Sequence, residues 1–163
     1  MNRRVKQRLM DALVALIAVS AGAIVIYVGD MLLGVRLELF YGLSTFTPLW
    51  AIDLFLVPFI GGFVVSLIYG LGGKILAHFS PLIVRLISYY QLHIASEVPP
   101  QGAELLPMSY WILVVIVAVE FAAIGGVVGE VVVKKTYGRE GTPRQQRQKR
   151  RHRRSGGSEV QKI

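Results

Sequence analysis

The sequence predicts an all-α membrane protein with about four transmembrane helices, both termini in the cytoplasm and a disordered basic C-terminal tail. The chain has 163 residues, of which 53% are hydrophobic. Eighteen residues between Asp11 and Asp30 carry no charge, nor do twenty between Asp53 and Lys74. Each stretch approaches the ~20 residues that a helix needs to cross the hydrocarbon. The net charge of +8 is concentrated in one terminal segment, where residues 134–163 hold eleven Lys and Arg against two Glu.

These features divide the chain into a basic cytoplasmic leader (1–9), a transmembrane domain (10–133) and a polybasic tail (134–163). The apolar run after the leader continues through Val28. It is longer than the core of a secretory signal peptide, so we expect an uncleaved anchor. Basic residues flanking a span stay in the cytoplasm. Both charged ends therefore belong there, and the number of crossings should be even.

We place the spans at 10–29, 48–72, 75–94 and 109–133. The third is the least apolar, and the even count requires it. Thr47 before Pro48 is typical of a helix N-cap and first helical residue. In this topology the aromatic residues of the outer interface are Trp50, Tyr89, Tyr90, Tyr110 and Trp111, as an aromatic belt requires. The segment 31–46 is expected to lie at the outer interface without crossing.

The third span has an alternative interpretation. Ser80-Pro81 could begin a new helix, leaving a segment too short to cross. At helical spacing, Lys74, His78, Arg85 and Ser88 share about one quarter of the circumference. A basic amphipathic helix lying on the membrane shows the same pattern. A crossing is favoured because the alternative places the basic tail outside.

Two charges are predicted to meet inside the membrane. Arg85 lies near the middle of the third span and Glu120 near the middle of the fourth, at similar depth. A charge at the bilayer centre costs several kcal/mol by the lowest estimates, so it usually has a partner. We expect an Arg85–Glu120 ion pair that fixes how the two spans pack. The alternatives are a proton or ion path that also uses Asp53 and His78, and pairing with another subunit.

Small residues form helix-packing stripes on two spans. Such residues let membrane helices approach closely. The span-two stripe consists of Gly62, Ser66 and Gly70, and the span-four stripe of Ala118, Ala122, Gly125 and Gly129. Asp53 and Glu120 point away from their respective stripes. Both helices are therefore expected to need protein on two sides, which favours a homo-oligomer or a larger complex.

The residue types argue against catalysis. The chain has no cysteine, which excludes disulfides, iron–sulfur clusters and thiolate metal sites. His78 and His93 lie fifteen residues apart, without the HxxxH or HExxH spacing of a metal site. The glycines before Lys74 do not match a P-loop. We therefore predict no enzyme activity, no cofactor and no metal.

The tail is predicted to bind anionic lipid headgroups, worth about 1 kcal/mol per basic residue near the surface. Its basic residues are Arg144, Arg147, Lys149, Arg150, Arg151, Arg153 and Arg154. No aromatic residue lies among them, so base stacking and nucleic-acid binding are not expected.

Two functions follow as hypotheses. The first is a non-catalytic integral membrane subunit that packs in, stabilises or helps to assemble a larger complex in the inner (plasma) membrane. The alternative is a small oligomeric channel or transporter that uses Asp53, Arg85 and Glu120 as its path.

Overall fold

The computed structural model describes residues 3–94 and 102–137, and these are mostly helical. Within these residues, five helices and two short strands follow one another. They are α1 (Arg3–Leu33), β1 (Leu39–Phe40), α2 (Pro48–Tyr69), α3 (Gly73–Ala77), α4 (Phe79–Ile94), β2 (Glu104–Leu105) and α5 (Met108–Tyr137).

Three of the described helices are long and apolar enough to cross a membrane, which confirms the prediction of a membrane protein. These segments are Arg8–Leu33, Pro48–Tyr69 and Met108–Thr136. They expose many large apolar side chains, among them Leu16 and Leu32. Surfaces of this kind are stable against lipid and not against water. Helix α1 begins at Arg3, and the part of it that is apolar enough to cross begins at Arg8. The division into leader, transmembrane domain and tail stays a prediction.

Local chemistry sets the limits of α2. The Thr47 side chain accepts a hydrogen bond from the Trp50 amide at 3.2 Å, and Pro48 is the first helical residue, as predicted. The helix ends at Tyr69 and not at residue 72. Gly70 and Gly72 adopt positive φ angles of 82° and 97°, which glycine tolerates without strain. They turn the chain directly into α3.

The predicted third span is broken into α3 and α4 at His78. Pro81 has no amide hydrogen for the carbonyl of Ala77, four residues earlier, and this loss interrupts the helix. Together α3 and α4 run antiparallel to α5. Lys74 and Ala77 lie against Gly126 at one end, and the Tyr89 ring lies 4.5 Å from the Trp111 ring at the other.

Each of these two pieces is short. With 16 residues, α4 alone is about 24 Å long, less than the hydrocarbon thickness of about 30 Å. A fourth crossing by α3 and α4 together remains a prediction.

Non-helical segments around β1 and β2, which we call the cap, cover one end of the helix bundle. β1 pairs antiparallel with β2, with Leu39 opposite Leu105. Leu37 is 1% exposed and packs in a cluster with Leu54, Val114 and Ala118. The segment predicted to lie at the interface therefore folds partly into the protein, since its leucines need apolar cover. We refer to this end as the capped end.

Candidate functional site

Arg85 is the centre of a buried ionic cluster at the capped end. Its guanidinium Nη2 lies 2.7 Å from Asp30 Oδ1 and 3.8 Å from Asp53 Oδ2, and its Nη1 lies 3.3 Å from Glu38 Oε1. Arg85 is 1% exposed, and Asp53 is fully buried. We call these four residues the Arg85 cluster. A guanidinium suits this role because its fixed fork of donors can serve several carboxylates at once.

Four different segments supply the cluster. Asp30 lies in the last turn of α1, Asp53 in the second turn of α2, and Arg85 in the second turn of α4. Glu38 precedes β1, and its carbonyl accepts a hydrogen bond of 2.8 Å from the Leu106 amide. The cluster therefore connects three helices to the cap and fixes their relative positions.

The cluster contains more negative than positive groups. Three carboxylates surround one guanidinium. Within the described residues, neither carboxylate oxygen of Asp53 has a hydrogen-bond partner, and Arg85 Nε also lacks one. Burying charge without full compensation is costly in an apolar environment. The Arg85 cluster is thus an electrostatic feature beyond a simple ion pair.

The predicted pairing of Arg85 with Glu120 is not found. Arg85 meets the three carboxylates of the cluster, while Glu120 is exposed on α5. The sequence predicted similar depths for the two charges, but their side chains point in different directions. Arg85 points toward the ends of α1 and α2, whereas Glu120 points away from the bundle.

Asp30 and Glu38 were missed by the sequence argument because both lie at or beyond the end of the first span. One signal could have identified Asp30. In the sequence, Asp30 is a carboxylate without an obvious partner at the outer end of the first span. Its expected depth is close to that of Asp53 on the second span. Glu38 could not have been identified, because its approach depends on how the cap folds over the bundle.

The two packing stripes meet each other inside this chain. A Cβ atom on Gly62 would lie 1.9 Å from the Ala122 carbonyl oxygen, and one on Gly125 would lie 2.0 Å from that of Phe59. Gly129 approaches Ser66 in the same way. The backbones of α2 and α5, which run parallel, are therefore in direct contact. Ala118 and Ala122 are fully buried.

Gly70 does not take part in this contact. No atom lies within 4 Å of the position its Cβ would occupy. It is the C-cap of α2, and its amide donates to the Ser66 carbonyl. Its role is to end the helix, which corrects its assignment to the span-two stripe.

These contacts alter the expectation that α2 and α5 each need further protein on two sides. For α2 both sides are covered within the chain, by α5 on the stripe and by Arg85 at Asp53. For α5 only the stripe is covered. The opposite side, which we call the Glu120 face, consists of Leu113, Ile116, Glu120, Ile124 and Val127, all exposed.

A polar cavity adjoins the Arg85 cluster. It has a volume of about 330 Å³ and lies between the end of α1, the following loop and the last turns of α4. Asp30 and Glu38 form part of its wall. Other polar side chains that line it are Tyr27, Arg36, Ser88 and Gln91. We call it the capped-end cavity.

The opposite end carries an anchor that the sequence did not reveal. Glu130 Oε1 accepts hydrogen bonds from the Gly72 amide at 2.8 Å and the Lys74 amide at 3.1 Å. A carboxylate satisfies the free amides at the start of a helix. Glu130 therefore ties the turn before α3 to α5.

The remaining candidates lie apart from these sites. His78, predicted for an ion path, bonds through Nδ1 to the Lys74 carbonyl at 2.9 Å and is not part of the Arg85 cluster. No group of three His, Asp or Glu side chains within residues 3–94 and 102–137 is arranged to hold a metal ion. The lipid-binding residues predicted in the tail, from Arg144 to Arg154, lie outside the described residues.

Comparisons with known proteins add no assignment to this geometry. No family model, no curated protein and no solved structure matches the chain. Two charged features of the described residues remain for a functional interpretation, namely the buried Arg85 cluster and the exposed Glu120 on α5.

Proposed function

We propose that this protein is a non-catalytic integral membrane subunit that binds another membrane-embedded protein through the Glu120 face of α5. The observation that carries this proposal is Glu120 itself. It lies near the middle of a 30-residue helix and is exposed. Its neighbours one turn away on either side, Ile116 and Ile124, are 51% and 49% exposed.

The surroundings of that carboxylate are apolar. On a membrane-spanning helix, a face of exposed Ile, Leu and Val contacts lipid or another apolar helix. A charge in lipid at this depth costs several kcal/mol by the lowest estimates, and such residues usually face protein or water. A partner helix that covers this face removes the cost.

The chemistry of the partner follows from the charge. A basic or hydrogen-bond-donating side chain at mid-membrane depth would complement Glu120. Arg85 of a second copy could not pair with Glu120, because Arg85 is buried among carboxylates. We therefore favour a different membrane protein over a second copy as the partner.

The topology belongs to the proposal as well. We propose four crossings, with α3 and α4 forming the third, both termini in the cytoplasm and the capped end outside. The support is that α3 and α4 follow α5 from the level of Gly126 to that of Trp111. We place the protein in the inner (plasma) membrane, with the tail on anionic lipid headgroups.

The channel or transporter alternative has less support. Asp53 and Arg85 lie together in the Arg85 cluster, while Glu120 lies on the outward face of α5 and His78 bonds within its own helix. A path through one subunit would need these groups to follow each other along one route. They do not line such a route in the described residues.

The test is purification of the tagged protein from its native host in mild detergent, with mass spectrometry of the intact assembly. We expect a stoichiometric foreign membrane subunit with the native protein. It should be lost with Glu120→Leu and retained with Ile17→Leu, a control on the exposed face of α1. A homo-oligomer, or a monomer that Glu120→Leu leaves unchanged, would contradict the proposal.

A further inference from the structure

Asp30 and Asp53 are two carboxyl groups that lie side by side at the same guanidinium nitrogen. Asp30 Oδ1 lies 2.7 Å and Asp53 Oδ2 lies 3.8 Å from Arg85 Nη2. The two carboxyl groups are also within hydrogen-bonding reach of each other. Two ionised carboxylates so close together repel each other, and a buried pair of this kind commonly holds one proton between its members.

Asp53 is the less compensated member of the pair. It is fully buried, and neither of its oxygens has a hydrogen-bond partner within the described residues. Of the two acids, only Asp30 accepts a hydrogen bond from Arg85 Nη2, because 3.8 Å is too long for one. An ionised Asp53 would therefore be buried without a donor, which is costly. A protonated Asp53 can instead donate its O–H to Asp30.

The charges of the surrounding elements agree with one bound proton. Helix α1 contributes Asp30, α4 contributes Arg85, and the cap contributes Glu38, whose Oε1 lies 3.3 Å from Arg85 Nη1. Arg36 lines the capped-end cavity together with Asp30 and Glu38. With Asp53 and the other two acids ionised, three negative charges face two positive ones. One proton held by the cluster makes the two numbers equal.

The charged side chains of α3 and α5 lie away from Asp53. Helix α5, which also packs against α2, directs Glu120 outward and holds its further charged residues, from Glu130 onward, at the opposite end. Lys74 of α3 lies at that end too. Within the described residues, the charge around Asp53 is therefore set by the other three members of the Arg85 cluster.

We propose that Asp30 and Asp53 share one proton in the folded protein, so that the Arg85 cluster is a proton-binding site. The proton resides on Asp53, whose O–H donates to the Asp30 carboxylate, and Arg85 stabilises that carboxylate as the anion. Asp30 is 14% exposed and lines the capped-end cavity. Protons therefore enter and leave through Asp30. This proton site is independent of the partner proposed for the Glu120 face.

The shared proton makes the capped end sensitive to pH. Loss of the proton leaves two adjacent negative charges between the last turn of α1 and the second turn of α2. Their repulsion acts against the contacts by which the Arg85 cluster connects three helices to the cap. Alkaline conditions should therefore loosen the capped end.

Infrared spectroscopy of the folded full chain in neutral detergent at pH 7 detects the proton directly. A protonated carboxyl group has a C=O stretch that an ionised carboxylate lacks. The chain has three aspartates, Asp11, Asp30 and Asp53, so a carbon isotope label on aspartate separates them from the glutamates. We expect a label-sensitive C=O band that is lost in Asp53→Asn. Asp11→Asn, the matched control on the exposed side of α1, should keep the band.

Unfolding by denaturant at several pH values measures the same proton through linkage. Aspartates of the unfolded chain are ionised above about pH 5, whereas the folded chain keeps one proton. The folded state then binds more protons, and its stability falls as pH rises. From about pH 5 to pH 7, the unfolding constant of the native protein divided by that of Asp53→Asn should rise about tenfold per pH unit. Asp11→Asn should show the same rise as the native protein.

Three results would overturn the proposal. One is the absence of a label-sensitive C=O band at pH 7 in the native protein. Another is a band of undiminished size in Asp53→Asn, which would place the proton elsewhere. The third is an unfolding constant that depends on pH in the same way in the native protein and in Asp53→Asn. If Asp53→Asn does not fold, the labelled native protein decides through the presence or absence of the band.

Discussion

Arg85 and Glu120 are two charges on neighbouring helices with opposite surroundings. Arg85 is 1% exposed and touches three carboxylates from three other segments. Glu120 is exposed among apolar side chains of α5. The first charge is used to hold this chain together. The second has no polar partner within the described residues of the chain, which is why we propose that it meets another protein.

The comparison shows how the direction of a side chain decides its role. Either charge would be costly if it were left in lipid. The span-four stripe turns one side of α5 to α2, and Glu120 is therefore directed outward. Arg85 lies on the side of α4 that meets the ends of α1 and α2. Stability experiments should separate the two charges.

The largest effect is expected at Arg85. Arg85→Gln leaves three buried carboxylates without their guanidinium, and breaking a buried ion pair in this way costs about 3–5 kcal/mol. In the isolated chain Glu120→Gln should cost less than about 0.5 kcal/mol, as for an exposed substitution. Thermal unfolding in mild detergent measures both. Equal losses of stability in the two variants would contradict the different roles given to Arg85 and Glu120.

A packing variant tests the contact that directs Glu120 outward. Gly62→Val places side-chain atoms where the Ala122 carbonyl now lies. Overpacking of this kind costs about 1–3 kcal/mol, and more where only backbone can give way. Ala12→Val, on the exposed side of α1, adds similar bulk as a control. If Gly62→Val unfolded at the same temperature as the native protein, α2 and α5 would not be in contact as described.

The carboxylates within the Arg85 cluster should differ in how much they contribute to stability. Asp30→Asn loses a charge-assisted hydrogen bond of 2.7 Å, worth about 1.5–3 kcal/mol. Asp53→Asn removes one of the three acidic groups of the cluster. Within the described residues the Asp53 carboxylate makes no hydrogen bond. We expect it to change stability by less than about 1 kcal/mol, since relieving uncompensated charge offsets the lost attraction.

Thermal unfolding of the two single variants side by side checks this order. Asp53→Asn as damaging as Arg85→Gln would show that Asp53 is the main partner of the guanidinium.

Several elements could be predicted from the sequence because their causes are local. The uncharged runs gave the membrane-length helices. Thr47 with Pro48 gave the start of α2. The span-two and span-four stripes were correct as contact surfaces at Gly62, Ser66, Gly125 and Gly129, although the sequence did not show that they contact each other.

Other features depend on how separate segments meet, and the sequence carries no local signal for them. The approach of Glu38 to Arg85 requires the cap, which forms only when β1 pairs with β2. Glu130 lies in an apolar stretch of the sequence that gives no sign of its role, yet it accepts hydrogen bonds from two amides 56 and 58 residues away. Helical periodicity indicated the faces correctly, but it could not indicate which face meets which neighbour.

The central claim, that the Glu120 face contacts another protein, can be tested most directly by photo-crosslinking in native membranes. A photoreactive residue at position 124 lies one turn from Glu120, and one at position 17 samples the exposed face of α1. The account predicts a crosslink from position 124 to one foreign membrane protein, lost when Glu120→Leu is added, and none from position 17. Crosslinks from position 124 to lipid alone, or equally from both positions, would contradict it.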